Sequence, residues 1–441
     1  MRRYKRRPPE ERIRDFDEVI LPLSHDEAIS EANRCIKCPI APCSKACPLG
    51  LSGRDISQYI IRGDLEEAAN VLYNVNPLLG VTARTCPQLL LCEGNCVLCL
   101  KGQPISIGLL QRYIADWAFA HKNKIKLEKL NDELSLNVAI IGSGPAGLMA
   151  AFELARRGAS VTMFDKLDMP GGTPRYAIPT YRLPRDVLDF EISLIMQLGV
   201  HYKRRFVDDE YLKWLVDEYD IIILALGCTM PKHLEIPGKD GIGIIDAYSF
   251  LKSVYYDKSI TNLDGTTVVI GCGDVAIDAA RTAIRLGSER VIIAYRRSIS
   301  EAPAYAPSII EAEEEGVEFL WQVVPKQFIL DDKGMLKELE FYRTKLTVQD
   351  ESGRRKPEII KGSEFRLRSS NAIVAIGRIP KPPCIIRTSR DGHILINENY
   401  MTNIPKVYAA GDVVLGEGHI VTAMRHGRDV ALTIIRRLFK K

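Results

Sequence analysis

The chain has 441 residues, 46% of them apolar, and its 60 basic and 56 acidic residues leave a net charge of +4. This length allows two to four domains with a large core, and the nearly balanced charge argues against a dedicated nucleic-acid binder. No segment reaches the roughly 20 apolar residues of a membrane span, and the first residues lack a signal-peptide pattern, so we expect a cytoplasmic protein without a membrane span.

A basic run opens the chain: Arg2, Arg3, Lys5, Arg6 and Arg7. Such a run is more typical of a solvated tail than of an arm that docks on an acidic partner, and both interpretations stay open. Apolar residues at helical spacing predict short helices within 54–75 and another helical run over 104–120. A polar, lysine-rich link at 121–135 is expected to end the first domain.

Eight of the eleven cysteines lie between residues 35 and 99. They form two groups, Cys35-x2-Cys38-x4-Cys43-x3-Cys47-Pro48 and Cys86-x5-Cys92-x3-Cys96-x2-Cys99. The first group matches the ferredoxin pattern, in which three close cysteines and a Cys-Pro bind iron–sulfur clusters and the fourth cysteine goes to another cluster. The pattern therefore predicts two clusters. Zinc would favour two CxxC pairs, disulfides conflict with a reducing compartment, and a catalytic dithiol needs only one pair.

A dinucleotide-binding unit follows. The strand at 137–141 runs into the turn Gly142-Ser-Gly144-Pro145-Ala146-Gly147, which opens a helix. The first glycine of such a turn makes it tight, the second lets a pyrophosphate approach the backbone, and the third lets the helix pack on the strand. The free N–H groups of the helix N-terminus then bind the phosphate. Asp165, which ends the next strand, has the spacing of a ribose-binding carboxylate.

A second unit contains the strand at 267–270 and the turn Gly271-Cys-Gly273-Asp274-Val275-Ala276. Its next strand, at 291–295, ends in Arg296 and Arg297 instead of a carboxylate. Two guanidinium groups suit the 2′-phosphate of NADP(H), because arginine binds phosphate in a bidentate, charge-assisted way. We therefore favour NADP(H) over NAD(H), and we expect this unit to be inserted within the first.

Gly411 and Asp412 follow the last strand and precede the last helix. A carboxylate there can accept hydrogen bonds from the ribityl or pyrophosphate side of a flavin, and together with the first turn it indicates FAD. His419 and His426 flank this helix, where a structural or flavin-contacting role is open. Three isolated cysteines are interpreted as small, buried apolar residues: Cys228, Cys272 and Cys384.

Over nearly its whole length the chain resembles one family, the small (β) subunit of NADPH-dependent glutamate synthase and its relatives. Those relatives include the large subunit of NADH-dependent reduced ferredoxin:NADP oxidoreductase, sulfide dehydrogenase and the N-terminal half of dihydropyrimidine dehydrogenase. The motifs that carry the resemblance are Cys35-Ile-Lys-Cys38-Pro39, Cys47-Pro48, Cys86-Pro87-Gln88, Cys92-Glu-Gly-Asn-Cys96, Pro170-Gly171-Gly172, Tyr181-Arg182-Leu-Pro184, Gly273-Asp-Val-Ala276 and Tyr295-Arg-Arg297.

The resemblance implies an α/β fold with two Rossmann-like dinucleotide-binding domains, as in disulfide-reductase-like flavoproteins. An α-helical domain that carries two [4Fe-4S] clusters precedes them. The expected limits are 1–133 for the helical iron–sulfur domain, 134–262 with 366–441 for the FAD domain, and 263–365 for the inserted NADP(H) domain.

The resemblance also implies the ligands. Carried over by position, one cluster is held by Cys35, Cys38, Cys43 and Cys96, and the other by Cys47, Cys86, Cys92 and Gln111. Many relatives have glutamate in place of Gln111, and a neutral amide brings less negative charge, so we expect the potential of that cluster to rise. Cys99 is the alternative fourth ligand. Gly171, Gly172 and Arg182 belong to segments that the resemblance assigns to the cofactor sites.

The implied function is electron transfer from NADPH to FAD and then, one electron at a time, through two clusters to a partner. The expected partner is a second redox subunit, with an FMN barrel or a ferredoxin-reductase-like chain, or a ferredoxin. No side-chain acid or base is identified beyond the cofactors. Three alternatives stay open: a stand-alone NADPH-dependent sulfide or polysulfide reductase with Cys228 as its redox thiol, the electron-input subunit of a dihydropyrimidine dehydrogenase, and a non-catalytic redox-sensing module.

Overall fold

The computed structural model describes residues 4–130, 134–349 and 353–439. We call residues 4–130 the helical domain, 134–231 with 378–439 the first sheet domain, and 244–374 the second sheet domain. No helix within the described ranges is both long and apolar enough to span a membrane.

The helical domain consists of short helices joined by the loops that carry the cysteines. Ser24 caps one helix through a reciprocal capping box with Glu27. Gly63, in a left-handed conformation at φ 77°, ends another, so the predicted helical stretch 54–75 divides in two. The α-helices are Pro9–Arg12, His25–Asn33, Pro42–Ala46, Gly53–Arg62, Leu65–Tyr73, Leu79–Thr85 and Ile107–Ala120, and the 3-10 helices are Val97–Lys101 and Lys122–Lys124.

The first sheet has five parallel strands, and its order brings a strand near the C-terminal end of the chain beside earlier ones. In spatial order the strands are Val407–Ala409, Ile221–Leu224, Asn137–Ile141, Ser160–Asp165 and His201–Arg204. The central strands are buried runs of apolar residues, as expected where helices cover both faces. The helices of this domain are Pro145–Ala155, Thr173–Tyr176, Arg185–Met196, Asp209–Glu218, Asp412–Leu415 and Ile420–Phe439.

The second sheet also has five parallel strands, in the spatial order Ile244–Asp246, Asn371–Val374, Thr266–Ile270, Arg290–Tyr295 and Glu318–Trp321. Its helices are Ala247–Tyr255, Asp274–Arg285 and Ala306–Glu314, with the 3-10 helix Ile299–Glu301. An antiparallel layer contains Val323–Leu330, Leu336–Gln349, Arg355–Ile359 and Phe365–Arg368. Strands Met230–Pro231 and Arg378–Ile379 pair where the chain passes between the sheet domains.

The second sheet domain is inserted in the first, and the expected fold class of two Rossmann-like domains after a helical one is confirmed. The second sheet extends beyond the expected limits of 263 and 365, because it includes Ile244–Asp246 and Asn371–Val374. These strands have three and four residues, too few for a periodic signal in the sequence. The limit expected after residue 133 adjoins residues 131–133, outside the described ranges.

The N-terminal segment packs on the second sheet domain, far away in sequence. Val19 belongs to the apolar core of that domain, and buried Arg12 donates to Glu315 at 2.7 Å. Arg6 pairs with Glu314 at 3.0 Å. The solvated-tail interpretation is therefore wrong for Arg6, while Arg2 and Arg3 lie outside the described residues.

Candidate functional site

Four cysteines from two segments of the chain line one cavity in the helical domain. Cys35 and Cys38 precede the short helix Pro42–Ala46, Cys43 lies on it, and Cys96 comes from the second cysteine group. These are the four side chains that the resemblance assigns to one cluster. No group of three or more His, Cys, Asp or Glu side chains among the described residues has the geometry for a single metal ion. The thiols instead surround a space, as ligands of a multi-atom cluster do.

Backbone N–H groups point at this cavity. Burial raises the pKa of the Cys43 thiol, while hydrogen bonds from the N–H groups of Gly53 and Arg54 lower it. A Cβ on Gly53 would lie 2.7 Å from Cδ1 of Ile107, so a larger residue there would have to displace that side chain. Such N–H groups stabilise a thiolate and tune the potential of an iron–sulfur cluster. The donor set therefore fits a [4Fe-4S] cluster.

A second set of thiols, Cys47, Cys86 and Cys92, lies between the helical domain and the first sheet domain. Burial raises the pKa of Cys86, and the neighbouring charge of Cys47 raises it further. Burial also raises the pKa of Cys92, with contributions from Glu93, Cys86 and Cys47. Cys47 and Cys86 both pack against the core of the first sheet domain. The three thiols are thus close together, with Cys92 buried and Cys47 and Cys86 partly exposed, and this grouping also fits a cluster.

The structure places the two candidates for a fourth ligand differently. Gln111 is buried on helix Ile107–Ala120, which packs against Leu79–Thr85, the helix that Cys86 caps. Cys99 lies on the 3-10 helix Val97–Lys101 and is partly exposed. The ligand role of Gln111 stays a prediction.

The second cysteine set is connected directly to the last helix of the first sheet domain. Nη1 of Arg425 donates to the carbonyl oxygen of Pro48 at 2.9 Å, and Nη1 of Arg428 donates to that of Leu49 at 3.2 Å. These carbonyls follow Cys47 in the chain. The same helix carries His426, whose Nδ1 accepts the N–H of Gly411 at 2.8 Å.

The first nucleotide turn has the form that the glycine pattern predicts. It connects strand Asn137–Ile141 to helix Pro145–Ala155. Gly142 has φ 106°, and a Cβ there would overlap the carbonyl oxygen of Ala225. A Cβ on Gly147 would overlap the carbonyl oxygen of Gly142, so this glycine lets the helix pack on the turn.

Two distant segments close around this turn. The N–H of Gly171 donates to the carbonyl oxygen of Ser143 at 2.9 Å, and a Cβ on Gly172 would lie 2.7 Å from Cα of Gly144. A Cβ on Gly411 would lie 2.7 Å from that of Ala146. The structure thus brings together the three segments expected at the flavin, although they span most of the chain.

Two carboxylates lie at this turn. Asp165 accepts the N–H of Ser143 at 2.8 Å and its hydroxyl at 2.7 Å, so it holds the turn in place. Burial, and then the charge of Glu417, raises the pKa of Asp412 to about 6. Burial lowers the pKa of His426, whose neutral ring accepts from Gly411 and so positions Asp412. This gives His426 a positioning role.

The second nucleotide turn is more open. Gly271 has φ 126°, and a Cβ there would overlap the carbonyl oxygen of Ala375. Gly273 has ordinary backbone angles, and nothing lies nearer to its Cβ position than Cγ of Pro303 at 4.0 Å. Asp274 accepts the N–H of Tyr305 at 2.9 Å. Of the next two residues of the turn, Val275 is exposed and Ala276 is buried.

The two arginines expected at the 2′-phosphate of NADP(H) differ in burial. Arg296 is exposed at the end of strand Arg290–Tyr295. Arg297 is buried, and its Nε donates to the carbonyl oxygen of Arg355 at 2.7 Å. Sequence reasoning missed Arg355, which also pairs with Glu301 at 2.6 Å, because it lies on a separate strand pair.

Arg182 connects the two sheet domains. Its Nη1 lies 2.6 Å from Oδ2 of Asp278, on the helix that follows the second turn. The hydroxyl of Tyr181 donates to the carbonyl oxygen of Asp278 at 3.2 Å. In the structure Arg182 thus holds this helix, and its expected contact with a cofactor stays a prediction.

The isolated cysteines differ from one another. Cys272 is buried, as expected, whereas Cys384 is exposed, so its interpretation as a buried residue is wrong. Sγ of Cys228 donates to the carbonyl oxygen of Asp412 at 3.5 Å, and burial raises its pKa to about 12. A thiol with so high a pKa is a poor nucleophile, because the thiolate is the reactive form.

Comparison with family models gives two matches. Residues 136–427 match the pyridine nucleotide-disulphide oxidoreductase family. Residues 12–123 match dihydropyrimidine dehydrogenase domain II, described as a 4Fe-4S cluster domain. Together they cover most of the described helical domain and of the two sheet domains.

Known proteins match over most of the chain. The glutamate synthase [NADPH] small chain of Azospirillum brasilense is 34% identical, over 97% of this chain and 92% of that one. The glutamate synthase [NADPH] small chain of Escherichia coli is 31% identical, over 95% of this chain and 93% of that one. The NADP(+)-dependent formate dehydrogenase subunit beta of Moorella thermoacetica is 35% identical, over 89% of this chain but 59% of its own.

Solved structures share the fold. Mycobacterium tuberculosis FprA in complex with NADPH has a TM-score of 0.60 at 19% identity, over 69% of this chain and 85% of that one. Lactococcus lactis thioredoxin reductase has a TM-score of 0.53 at 23% identity, over 70% of this chain and all of its own. At this identity the likeness concerns the fold alone.

Proposed function

Because the chain belongs to the pyridine nucleotide-disulphide oxidoreductase family and, within it, groups with the glutamate synthase small chains, we propose that it transfers electrons between NADPH and a partner protein. It is an NADPH-dependent oxidoreductase that binds FAD and NADP(H) and has a 4Fe-4S domain. When bound, the flavin exchanges a hydride with the nicotinamide and the clusters carry single electrons. The chain's own residues hold and orient these groups.

The observation that supports this proposal is the order of the sites. The second cysteine set lies against the first sheet domain, and Arg425 and Arg428 hold the backbone after Cys47 to the helix that positions Asp412 through His426. The first set lies farther out, in a cavity with exposed apolar residues at its edge. The flavin turn, the second cysteine set and the first cysteine set therefore form a sequence of sites, and the last of them adjoins exposed apolar residues.

We further propose two [4Fe-4S] clusters, one per cysteine set, with Gln111 completing the inner one. The partner is a second redox subunit with an FMN barrel or a ferredoxin-reductase-like chain, or a ferredoxin. The glutamate synthase small chains and the subunit beta of formate dehydrogenase carry names of subunits, which supports an acceptor in another chain. The raised pKa and partial burial of Cys228 disfavour a stand-alone reductase that would use its thiol.

An anaerobic titration of the loaded protein with NADPH tests the proposal. We expect loss of flavin absorbance, more than two electrons accepted per chain, and electron paramagnetic resonance signals from reduced clusters. Cys86→Ser is expected to remove one cluster signal while the flavin is still reduced, and Cys384→Ser, at an exposed site, serves as the matched control. Flavin reduction with no electrons on any cluster would contradict the proposal.

A further inference from the structure

The antiparallel layer of the second sheet domain is fastened to the end of strand Arg290–Tyr295, where the arginines expected at the 2′-phosphate lie. The hydroxyl of Thr344 donates to the carbonyl oxygen of Arg296 at 2.9 Å. Nε of Arg297 donates to the carbonyl oxygen of Arg355 at 2.7 Å. These bonds hold the backbone of Arg355 next to the end of the strand, although 58 residues separate it from Arg297 in the sequence.

A buried carboxylate holds the side chain of Arg355 in this place. Nε of Arg355 lies 2.6 Å from Oε1 of Glu301, whose side chain is only 8% exposed. The hydroxyl of Ser298 also donates to Glu301, and the Arg355 guanidinium holds the pKa of Glu301 below its ordinary value. The carboxylate is therefore ionised at neutral pH, and it fixes one edge of the guanidinium.

The other edge of this guanidinium is available to a ligand. The side chain of Arg355 is 48% exposed, and within the described ranges Nη1 and Nη2 have no hydrogen-bond acceptor. Two parallel N–H groups of an arginine bind phosphate in a bidentate, charge-assisted way. Arg355 thus differs from an ordinary surface arginine, because its contact with Glu301 fixes its orientation before any ligand arrives.

The charge of Glu301 explains why a cation is needed at this position. A carboxylate near the end of this strand usually favours NAD(H), because it accepts a hydrogen bond from the ribose 2′-hydroxyl and would repel a 2′-phosphate. Glu301 ends the 3-10 helix Ile299–Glu301, which follows the strand closely. The ion pair with Arg355 neutralises this carboxylate, so that the positive charge of Arg296 remains in excess beside it.

We propose that Arg355 is a specificity-determining residue, which binds the 2′-phosphate of NADP(H) through Nη1 and Nη2, and that Glu301 positions it. The inference rests on the NADP(H) binding in the proposed function and deepens it, because part of the selection of the nucleotide then comes from a strand outside the parallel sheet. Arg296 contacts the phosphate from the end of the parallel strand, and Arg355 contacts it from the antiparallel layer.

Calorimetric titration of the loaded protein with NADP+ and with NAD+ tests this assignment. We expect Arg355→Ala to weaken NADP+ binding by about tenfold and to leave NAD+ binding within about twofold, because only NADP+ carries the 2′-phosphate. Arg355→Lys keeps the charge but loses the two parallel donors, so it should weaken NADP+ binding by about threefold.

A matched control lies on the same antiparallel layer. Arg366 makes a similar ion pair, with Nε 3.2 Å from Oε1 of Glu340, and its side chain is 57% exposed. Arg366→Ala should leave the affinities for both nucleotides within about twofold, since surface pairs of this kind contribute little. The NAD+ titration shows for every variant whether the second sheet domain is intact.

The double variant R355A/E301Q distinguishes a phosphate contact from a merely structural role. In Arg355→Ala the carboxylate of Glu301 has lost its cation and repels the 2′-phosphate. Removal of this charge should therefore strengthen NADP+ binding by about threefold relative to Arg355→Ala alone. A loss of affinity caused by a damaged strand pair would not be recovered in this way.

Three outcomes would overturn the inference: NADP+ binding by Arg355→Ala that matches Arg366→Ala, equal losses of NADP+ and NAD+ affinity in Arg355→Ala, or no recovery in the double variant. The failure of the proposed function has a different signature, because NADPH would then reduce the flavin but no cluster in the unmodified protein. Nucleotide affinities do not depend on electron transfer to the clusters, so the two failures are read separately.

Discussion

The two sheet domains repeat one nucleotide-binding unit, and the glycines of the two turns are alike: Gly142 and Gly271 adjoin a backbone carbonyl, and Gly144 and Gly273 have 3.9 and 4.0 Å of clearance. The turns differ in what packs on them. A Cβ on Gly172 would lie 2.7 Å from Cα of Gly144, and one on Gly411 would lie 2.7 Å from Cβ of Ala146, so the first turn is enclosed. No described glycine approaches the second turn in this way, so we call it the open turn. An enclosed turn suits a cofactor that stays bound, and an open one suits a cofactor that is exchanged at each turnover. The same local sequence pattern thus serves two purposes that only the packing distinguishes.

A buried carboxylate in each sheet domain contacts the helical domain, Glu191 in the first and Glu315 in the second. The pKa values of the two carboxylates differ. We call the Glu315 contact the charged tie and the Glu191 contact the uncharged tie. Glu191 accepts the N–H groups of Gly80 and Val81 and the hydroxyl of Tyr73, and burial raises its pKa to about 7. Glu315 is equally buried, but hydrogen bonds and charges from Arg281 and Arg285 outweigh that burial and lower its pKa to about 2. Burial alone therefore does not decide whether a carboxylate is ionised, since its partners do.

Breaking the charged tie should have the largest effect. Glu315→Gln leaves Arg12, Arg281 and Arg285 without their shared anion in a buried site. Removing one partner of a buried ion pair costs about 3–5 kcal/mol, which urea denaturation followed by tryptophan fluorescence should detect in the second sheet domain. Acid should act similarly on the unmodified protein, because this stabilisation is lost as the pH falls from about 4.5 through the folded pKa of about 2.

The neighbouring residue provides the control for this tie. Glu314 also pairs with Arg12, at 3.1 Å, but its side chain is 30% exposed. Glu314→Gln should cost no more than about 1 kcal/mol, because water screens such pairs. Equal effects of the two substitutions would contradict the difference that we draw between buried and exposed partners.

A pair of glycine substitutions, one at the crowded first glycine of the first turn and one at the clear second glycine of the second turn, separates backbone overlap from the approach of a cofactor. Gly142→Ala forces a side chain into φ 106° and onto the carbonyl of Ala225, so we expect a loss of about 1–3 kcal/mol from the backbone strain alone, with loss of FAD. Gly273→Ala meets no clash and should change the free energy of unfolding by less than about 0.5 kcal/mol. It should still weaken NADPH binding, because the added methyl group occupies the pyrophosphate approach.

Denaturation and NADPH titration of both variants distinguish the two outcomes. A Gly273→Ala protein that loses stability as much as Gly142→Ala would mean that the surroundings of Gly273 are more crowded than its 4.0 Å of clearance indicates. An unchanged affinity for NADPH in the Gly273→Ala protein would mean that the phosphate does not pass over this residue.

The uncharged tie at Glu191 predicts a pH dependence of the free energy of unfolding that is opposite in sign to that of Glu315. The folded pKa of Glu191, about 7, lies above its ordinary value of 4.5, so the folded state binds more protons between these values. The free energy of unfolding should therefore fall as the pH rises from about 4.5 to about 7, by on the order of 2 kcal/mol. Denaturation curves of Glu191→Gln, which cannot ionise, should lack this slope, and a slope that persists in the variant would assign it to another group.

The sequence predicts the parts of this structure that depend on local spacing. The fold class and the family follow from glycine turns and cysteine spacings, because a turn of this kind needs glycine wherever a Cβ would overlap backbone, as at Gly142 and Gly271. The grouping of Cys96 with Cys35, Cys38 and Cys43 follows only from resemblance, since nothing in its spacing indicates which cluster it joins. Arg12 could not be predicted as buried, because its partner Glu315 lies 303 residues away. Strand Ile244–Asp246 was missed because three residues show no periodicity.

The smallest expected effect concerns the two arginines at the open turn. Arg296 is exposed beside the site, whereas Arg297 is buried and bonded to the backbone of Arg355. Arg296→Ala should weaken NADPH binding by about tenfold, equivalent to about 1.4 kcal/mol, and leave NADH binding unchanged, because only NADPH carries the 2′-phosphate. Arg297→Ala should instead lower stability and affect both nucleotides alike. Titration of each variant with both nucleotides measures the two affinities. An equal loss of NADH affinity in Arg296→Ala would mean that another cation binds the 2′-phosphate. The nucleotide preference of the open turn would then come from residues beyond its own strand.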